Sequence, residues 1–260
     1  LAAGLGLAGA VLAAGLALAA GRVAPAVPFA WEEALAGGVE PGLPAADPEA
    51  EAALRRLAGE LAAAADLPAP VSIRVHLGDD PVPNAFATLG GHVVVTRGLL
   101  DAVSSENALA MVLAHEIAHV ARRHPIRALG RGAVLELVWA TLAGASGQSA
   151  VRDVLGRAGL LTLLGFSRDM ERAADRAALA TLRRHYGHVR GAGGLFRALQ
   201  RRRGDPGWTD LFRTHPRTAE RLAAIAARTA AGENTRLEPL PPAIAALRAG
   251  AADASAPADR

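Results

Sequence analysis

Residues 112–124 read VLAHEIAHVARRH, and no other stretch restricts the fold of this chain as severely. Leu109, Val112, Leu113, Ile117 and Val120 recur at three- and four-residue intervals. That spacing predicts a helix with its apolar face turned into a core. Into this helix the sequence sets His115, Glu116 and His119. Buried polar side chains are costly unless partnered, so the fold has to be built around whatever satisfies them. Ser104 or Ser105 can cap the helix, Glu106 suits its positive end, and Pro125 closes it.

The surroundings predict an α+β fold dominated by helices. Apolar residues make up 51% of the chain and aromatics only 3%. Alanine carries much of the apolar share, and it favours helices over strands. A helix is expected over 49–65, with Leu54, Leu57 and Leu61 on one face. Val71, Ile73, Val75 and Leu77 then alternate with Ser72, Arg74 and His76, the pattern of a half-buried strand. Asn84–Leu89 and His92–Thr96 read as two more strands, with Gly90-Gly91 as the turn between them. Two apolar pieces within 132–166 suggest a helical hairpin on the domain or at a membrane surface, each too short to span a bilayer alone.

Four regions are expected along the chain. Residues 1–21 contain no charge and are long enough to cross a ~30 Å hydrocarbon layer as a helix. They read as a membrane anchor or, alternatively, as the apolar part of a cleaved signal. Residues 22–48 form a Pro/Gly-rich linker with a short amphipathic turn at Trp31, 49–231 the main domain, and 232–260 a loosely attached Pro/Ala-rich tail. Arg22 is the only charge beside the apolar stretch, and taken alone it would hold the domain on the cytoplasmic side.

The chemistry is bounded by residue types. Cysteine is absent, which excludes thiolate metal sites, disulfides and a catalytic thiol. All basic residues are arginine and the net charge is only +3. The run Arg201–Arg203 reads as a solvated helix end, and no aromatic platform accompanies it, so nucleic acid is not an expected partner. His115 and His119 leave the same helix face one turn apart, so both imidazoles can reach one Zn²⁺ at ~2.0–2.1 Å. Glu116 is turned by about 100° and suits a general base acting on water. A third ligand has to come from elsewhere. In FSRDMERAADRAAL, residues 166–179, Glu171 and Asp175 share a helix face. Glu171 could bind the metal while Asp175 accepts the free ring N–H of a ligand histidine. An exposed charged face paired with Arg168, Arg172 and Arg176 fits the spacing equally well.

Four motifs in order, PNAFATLGGHVVVTRGLL, LAHEIAHVARRH, FSRDMERAADRAAL and FRTHPRTAERL, resemble the M48 family of zinc metallopeptidases over about residues 70–230. That family includes Ste24-type, HtpX-type and Oma1-type membrane-associated proteases. The resemblance implies a zincin-like gluzincin fold in which one Zn²⁺ is held by His115, His119 and Glu171, with Glu116 as general base. It implies Asp175 behind the ligands and polypeptide substrates, held along Asn84, Ala85 and Phe86 as on an edge strand. It departs from the family at Ala173, where a second glutamate is common. His215 matches a family Thr-His-Pro motif and either approaches the metal or opens a helix ahead of Pro216, and Arg221 follows at a family-like position. The remaining histidines, His76, His92, His124, His185 and His188, read as surface or packing residues. The expected protein is a membrane-anchored zinc endopeptidase of protein quality control, bacterial and extracytoplasmic by its nearest resemblances. A zinc-stabilised chaperone-like module is the alternative.

Overall fold

The computed structural model describes residues 15–16, 19–36, 47–65, 67–132, 166–201, 223–224, 226–228 and 236–254. Of the apolar stretch 1–21, only 15–16 and 19–21 fall among these, and they are helical. The expected spanning helix otherwise lies outside the described residues, as does the hairpin expected within 132–166. Among the described residues no helix is long and apolar enough to cross a membrane.

Helix α1 (Phe29–Ala36) occupies the region expected to be a linker, and it buries Phe29, Glu32 and Ala36. Helix α2 (Pro48–Ala64) follows. Asp47 caps it by accepting from the Ala50 N–H at 2.8 Å, and Pro48 at the first position has no N–H to leave unmet. Leu54, Leu57 and Leu61 all turn inward.

Strands β1 (Arg74–Gly78), β2 (Ala85–Ala87) and β3 (His92–Thr96) form one sheet in the order β1-β3-β2. β1 runs parallel to β3, with Val75 opposite Val93, and β2 runs antiparallel to it, with Phe86 opposite Val94. The first strand is shorter than expected, because it starts at Arg74 rather than Val71. Gly90 and Gly91 turn the hairpin at φ of +68° and +80°. A Cβ on Gly91 would lie 1.9 Å from the Ser72 carbonyl oxygen. Gly91→Ala is therefore expected to destabilise the fold by about 3 kcal/mol, from left-handed strain plus overpacking. The midpoint of urea unfolding measures it.

Helices α3 (Arg97–Ala102), α4 (Glu106–Ala121), α5 (Arg168–Tyr186), α6 (Gly194–Arg201) and α7 (Pro242–Ala254) follow the sheet. Ser105 caps α4 by accepting from the Ala108 N–H at 3.3 Å. Every residue from Asn107 to Val120 is buried, so α4 is the central rod of the domain rather than a half-exposed surface helix. The sheet, α2 and α5 all pack on it.

Among the described residues, parts of the expected linker and of the expected loosely attached tail make contacts with the main domain. Glu238 accepts from the Glu106 N–H at 3.0 Å and donates its own N–H to Asn107 Oδ1 at 2.8 Å. Ile244 of α7 is fully buried in the main core. At the other end, Arg123 donates to Glu32 and to the Val27 carbonyl at 2.7 Å, and its guanidinium lies 5.5 Å from the centre of the Phe29 ring. Arg123 has φ +57°, a conformation that costs about 1–2 kcal/mol for a non-glycine residue and that these contacts offset. The turn lets the chain leave α4 and resume a helix over 124–132, so Pro125 falls at the start of a new helix.

Candidate metal centre

Helix α4 carries His115, Glu116 and His119 at its buried C-terminal half, only 5%, 1% and 0% exposed. Helix α5 is capped by Ser167, whose hydroxyl accepts from the Met170 N–H at 3.4 Å. Its face of Glu171, Ala174, Ala178 and Leu182 is buried, and the two fully buried alanines keep bulk out of the α4–α5 contact. Glu171 is thereby carried to the paired histidines.

The donor atoms converge. His115 Nε2 and His119 Nε2 stand 3.0 Å apart, and Glu171 reaches them at 3.4 Å through Oε2 and 3.5 Å through Oε1. Taken together, the three ligand atoms lie within 4.8 Å of one another. Ligands at ~2.0–2.1 Å from one tetrahedral ion stand about 3.3 Å apart, so this donor set fits zinc in both chemistry and spacing. Two imidazole nitrogens and a carboxylate are also a borderline-soft, borderline-hard mixture suited to that ion.

Behind the donors the rings are held from their far sides. Asp175 Oδ1 lies 3.0 Å from His115 Nδ1. His124 Nδ1 lies 2.9 Å from His119 Nδ1, and the His119 ring stacks on Phe166 with centroids 3.9 Å apart. Burial, followed by the nearby Arg127 and Arg122 charges, pushes His124 down to about 3. For His119 to offer Nε2 to a metal it must carry its proton on Nδ1, and a neutral His124 protonated on Nε2 is placed to accept that proton's hydrogen bond.

Of the two roles expected for His124, surface or packing, the structure shows the second: it is buried and packs against the centre. On a straight helix a residue five positions on points well away from the first. The left-handed turn at Arg123 brings His124 back. His76 and His92, also expected as surface or packing residues, pack together across β1 and β3, with ring nitrogens 2.8 Å apart and nearly parallel rings. His215 and Arg221 lie outside the described residues.

Asn84, Ala85 and Phe86 lie at and just before β2, an edge strand that packs against α4. The other edge is taken: Arg55 donates to the Val75 carbonyl at 3.1 Å, and Glu51 accepts from the Leu77 N–H at 2.9 Å. Asn84 is fixed through its main chain, donating to Thr96 Oγ1 at 2.8 Å and accepting from Thr96 N at 3.0 Å. Its side-chain Oδ1 is buried with no hydrogen-bond partner among the described residues.

Comparison with known families decides the class. The model of peptidase family M48 matches residues 48–229. The chain belongs to peptidase family M48. Within that family it is similar to the mitochondrial metalloendopeptidase OMA1 of Schizosaccharomyces pombe, 34% identical over 153 residues, 58% of this chain and 45% of that protein. It is 36% identical over 110 residues to a putative beta-barrel assembly-enhancing protease of Vibrio cholerae, 38% of this chain and 22% of the relative. The beta-barrel assembly-enhancing protease of Escherichia coli is 38% identical over 113 residues, 39% of this chain and 23% of the relative. The M48 chain described here therefore spans less than half the length of each of these curated relatives.

Proposed function

We propose that this M48 chain is a zinc-dependent endopeptidase in which His115, His119 and Glu171 hold the metal and Glu116 is the general base. The observation that carries the reading is the meeting of three donor atoms from two helices at the spacing of a single tetrahedral ion. When bound, zinc supplies a Lewis acid for a peptide carbonyl and makes water acidic enough to lose a proton near neutrality. Glu116 takes that proton and passes it to the departing amine, and its burial on α4 beside His115 keeps the carboxylate aimed at one place. Asp175 and His124 hold the two rings in the tautomers that leave Nε2 free to bind.

An extended substrate adds to β2, since Glu51 and Arg55 occupy the opposite edge of the sheet. Asn84 fixes the start of that edge through its main-chain bonds to Thr96. Membrane attachment through 1–21, with the domain outside the cytoplasm, and work on misfolded proteins complete the proposal. The uncharged run at the chain start and the names of the mitochondrial and beta-barrel assembly relatives support it.

The test is metal dependence on an unfolded polypeptide. The zinc-reconstituted chain should cut casein at internal bonds, stop on chelation and resume when one equivalent of zinc is restored. A chain that carries one zinc yet cuts no unfolded protein fits a metal-stabilised binding module instead. His124 offers a finer check. His124→Leu is expected to weaken zinc binding about 10–100-fold in a chelator competition. His124→Asn places Oδ1 where Nδ1 stood and should keep most of the affinity.

A further inference from the structure

A cavity of about 700 Å³ adjoins the metal centre, with His124 in its wall. Cavities of ~300–1,000 Å³ are the usual size for small ligands. The charged lining is lopsided: Arg22, Arg122, Arg127 and Arg131 share the space with one carboxylate, Asp169. Asp169 points largely to solvent, with its side chain 88% exposed, and it is already paired with Arg172. Among the described residues Arg22, Arg122 and Arg127 have no ion-pair partner, and Arg127 Nε is buried without a hydrogen-bond partner. Arg131 reaches Met170 Sδ at 3.7 Å, a weak acceptor.

Guanidinium groups stay protonated under all ordinary conditions, so this wall is positive whatever the pH. Crowding like charges around a shared, partly desolvated space is unfavourable unless an anion joins them. A carboxylate satisfies one guanidinium fork. A phosphate group presents several oxygens and up to two charges, so it can accept from several forks at once. Arg22 also directly follows the uncharged apolar run 1–21. A bilayer holding that run would put Arg22 at the depth of the lipid phosphates.

We propose that this cavity is a phosphate-binding site, with Arg22, Arg122, Arg127 and Arg131 as donors, and that it takes an anionic phospholipid headgroup or a soluble phosphate. The site goes beyond the peptidase reading, because its occupation is read without any cleavage assay.

The experiment titrates the zinc-loaded chain with glycerol 3-phosphate by calorimetry and, in a second arm, measures co-sedimentation with vesicles. The vesicles are phosphatidylcholine alone or phosphatidylcholine with phosphatidylglycerol. Variants are Arg127→Gln with Arg131→Gln, Arg22→Gln alone as an exposed change that leaves the interior intact, and Arg56→Gln on the exposed side of α2 as a charge control. Saturable binding is expected, at least about tenfold weaker in the double variant. Arg22→Gln should weaken it partly and Arg56→Gln not at all. Loss confined to the vesicle arm identifies the lipid as the source, and loss confined to glycerol 3-phosphate identifies a soluble ligand; either supports the site. The proposal is overturned by any of three results: no binding by the wild type, equal weakening in Arg56→Gln, or full binding retained in the double variant, which would put the phosphate on the metal. In the first of these cases, arginine variants that raise KM only for peptides with acidic residues would make the cavity a substrate pocket.

Discussion

Glu116→Gln should lower kcat for casein or peptide cleavage by about 10²–10⁴-fold, the usual contribution of a positioned general base. Zinc content should stay at one ion per chain. The substitution keeps the shape and burial of the side chain and removes only its capacity to take a proton. Glu116 neighbours His115 in sequence but is not one of the three convergent donors, so the metal keeps its ligands. KM should change little, because the carboxylate acts on water rather than on the bound peptide. A glutamine variant that cleaves at the wild-type rate would remove Glu116 from the reaction.

Glu171→Ala is expected to have an equally large effect of a different kind. It deletes the one donor contributed by α5, leaving two imidazoles from a single helix turn. If ~10–16 kcal/mol of structural zinc binding is shared among four ligands, losing one weakens affinity by roughly 10²–10³-fold. Elemental analysis after dialysis should find the variant largely metal-free, and its activity should return only at high added zinc, if at all. Retention of stoichiometric zinc with full activity would show that another residue supplies the third donor. Circular dichroism separates metal loss from unfolding, since α4 and α5 each carry their own serine caps and buried faces.

How much of this could be read from the sequence depends on whether the signal was local. Four-residue spacing puts His115 and His119 on one face whatever the rest of the chain does. Periodicity places α2, and a serine cap with periodicity places α4, to within a few residues, whereas α5 runs seven residues past the stretch that the motif marked. The meeting of α4 with Glu171 is different. The spacing of Glu171 and Asp175 fits an exposed ion-paired face as well as a buried ligand, and only packing brings Glu171 within 3.5 Å of the histidines. The parallel pairing of β1 with β3 depends on a crossover, which no alternation pattern announces, whereas the β2–β3 hairpin follows from its glycine turn. His124 depends on a left-handed arginine that no residue preference suggests. Docking of α1 rests on Glu32 and Arg123, 91 residues apart, and the Pro-rich end is held by main-chain bonds at Glu238. A linker and a tail differ from docked segments through partners far away in the chain.

The brevity of β2 has a mechanical consequence. Three residues at ~3.3 Å each give a rail of only about 10 Å, enough for two or three rungs with a guest strand. Under the proposed pairing of substrate with β2, so small a grip would clamp no folded partner and would let go of fragments quickly. Discrimination among guests would then come from side-chain fit, and slack, already opened polypeptides would be the ones able to lie down on it.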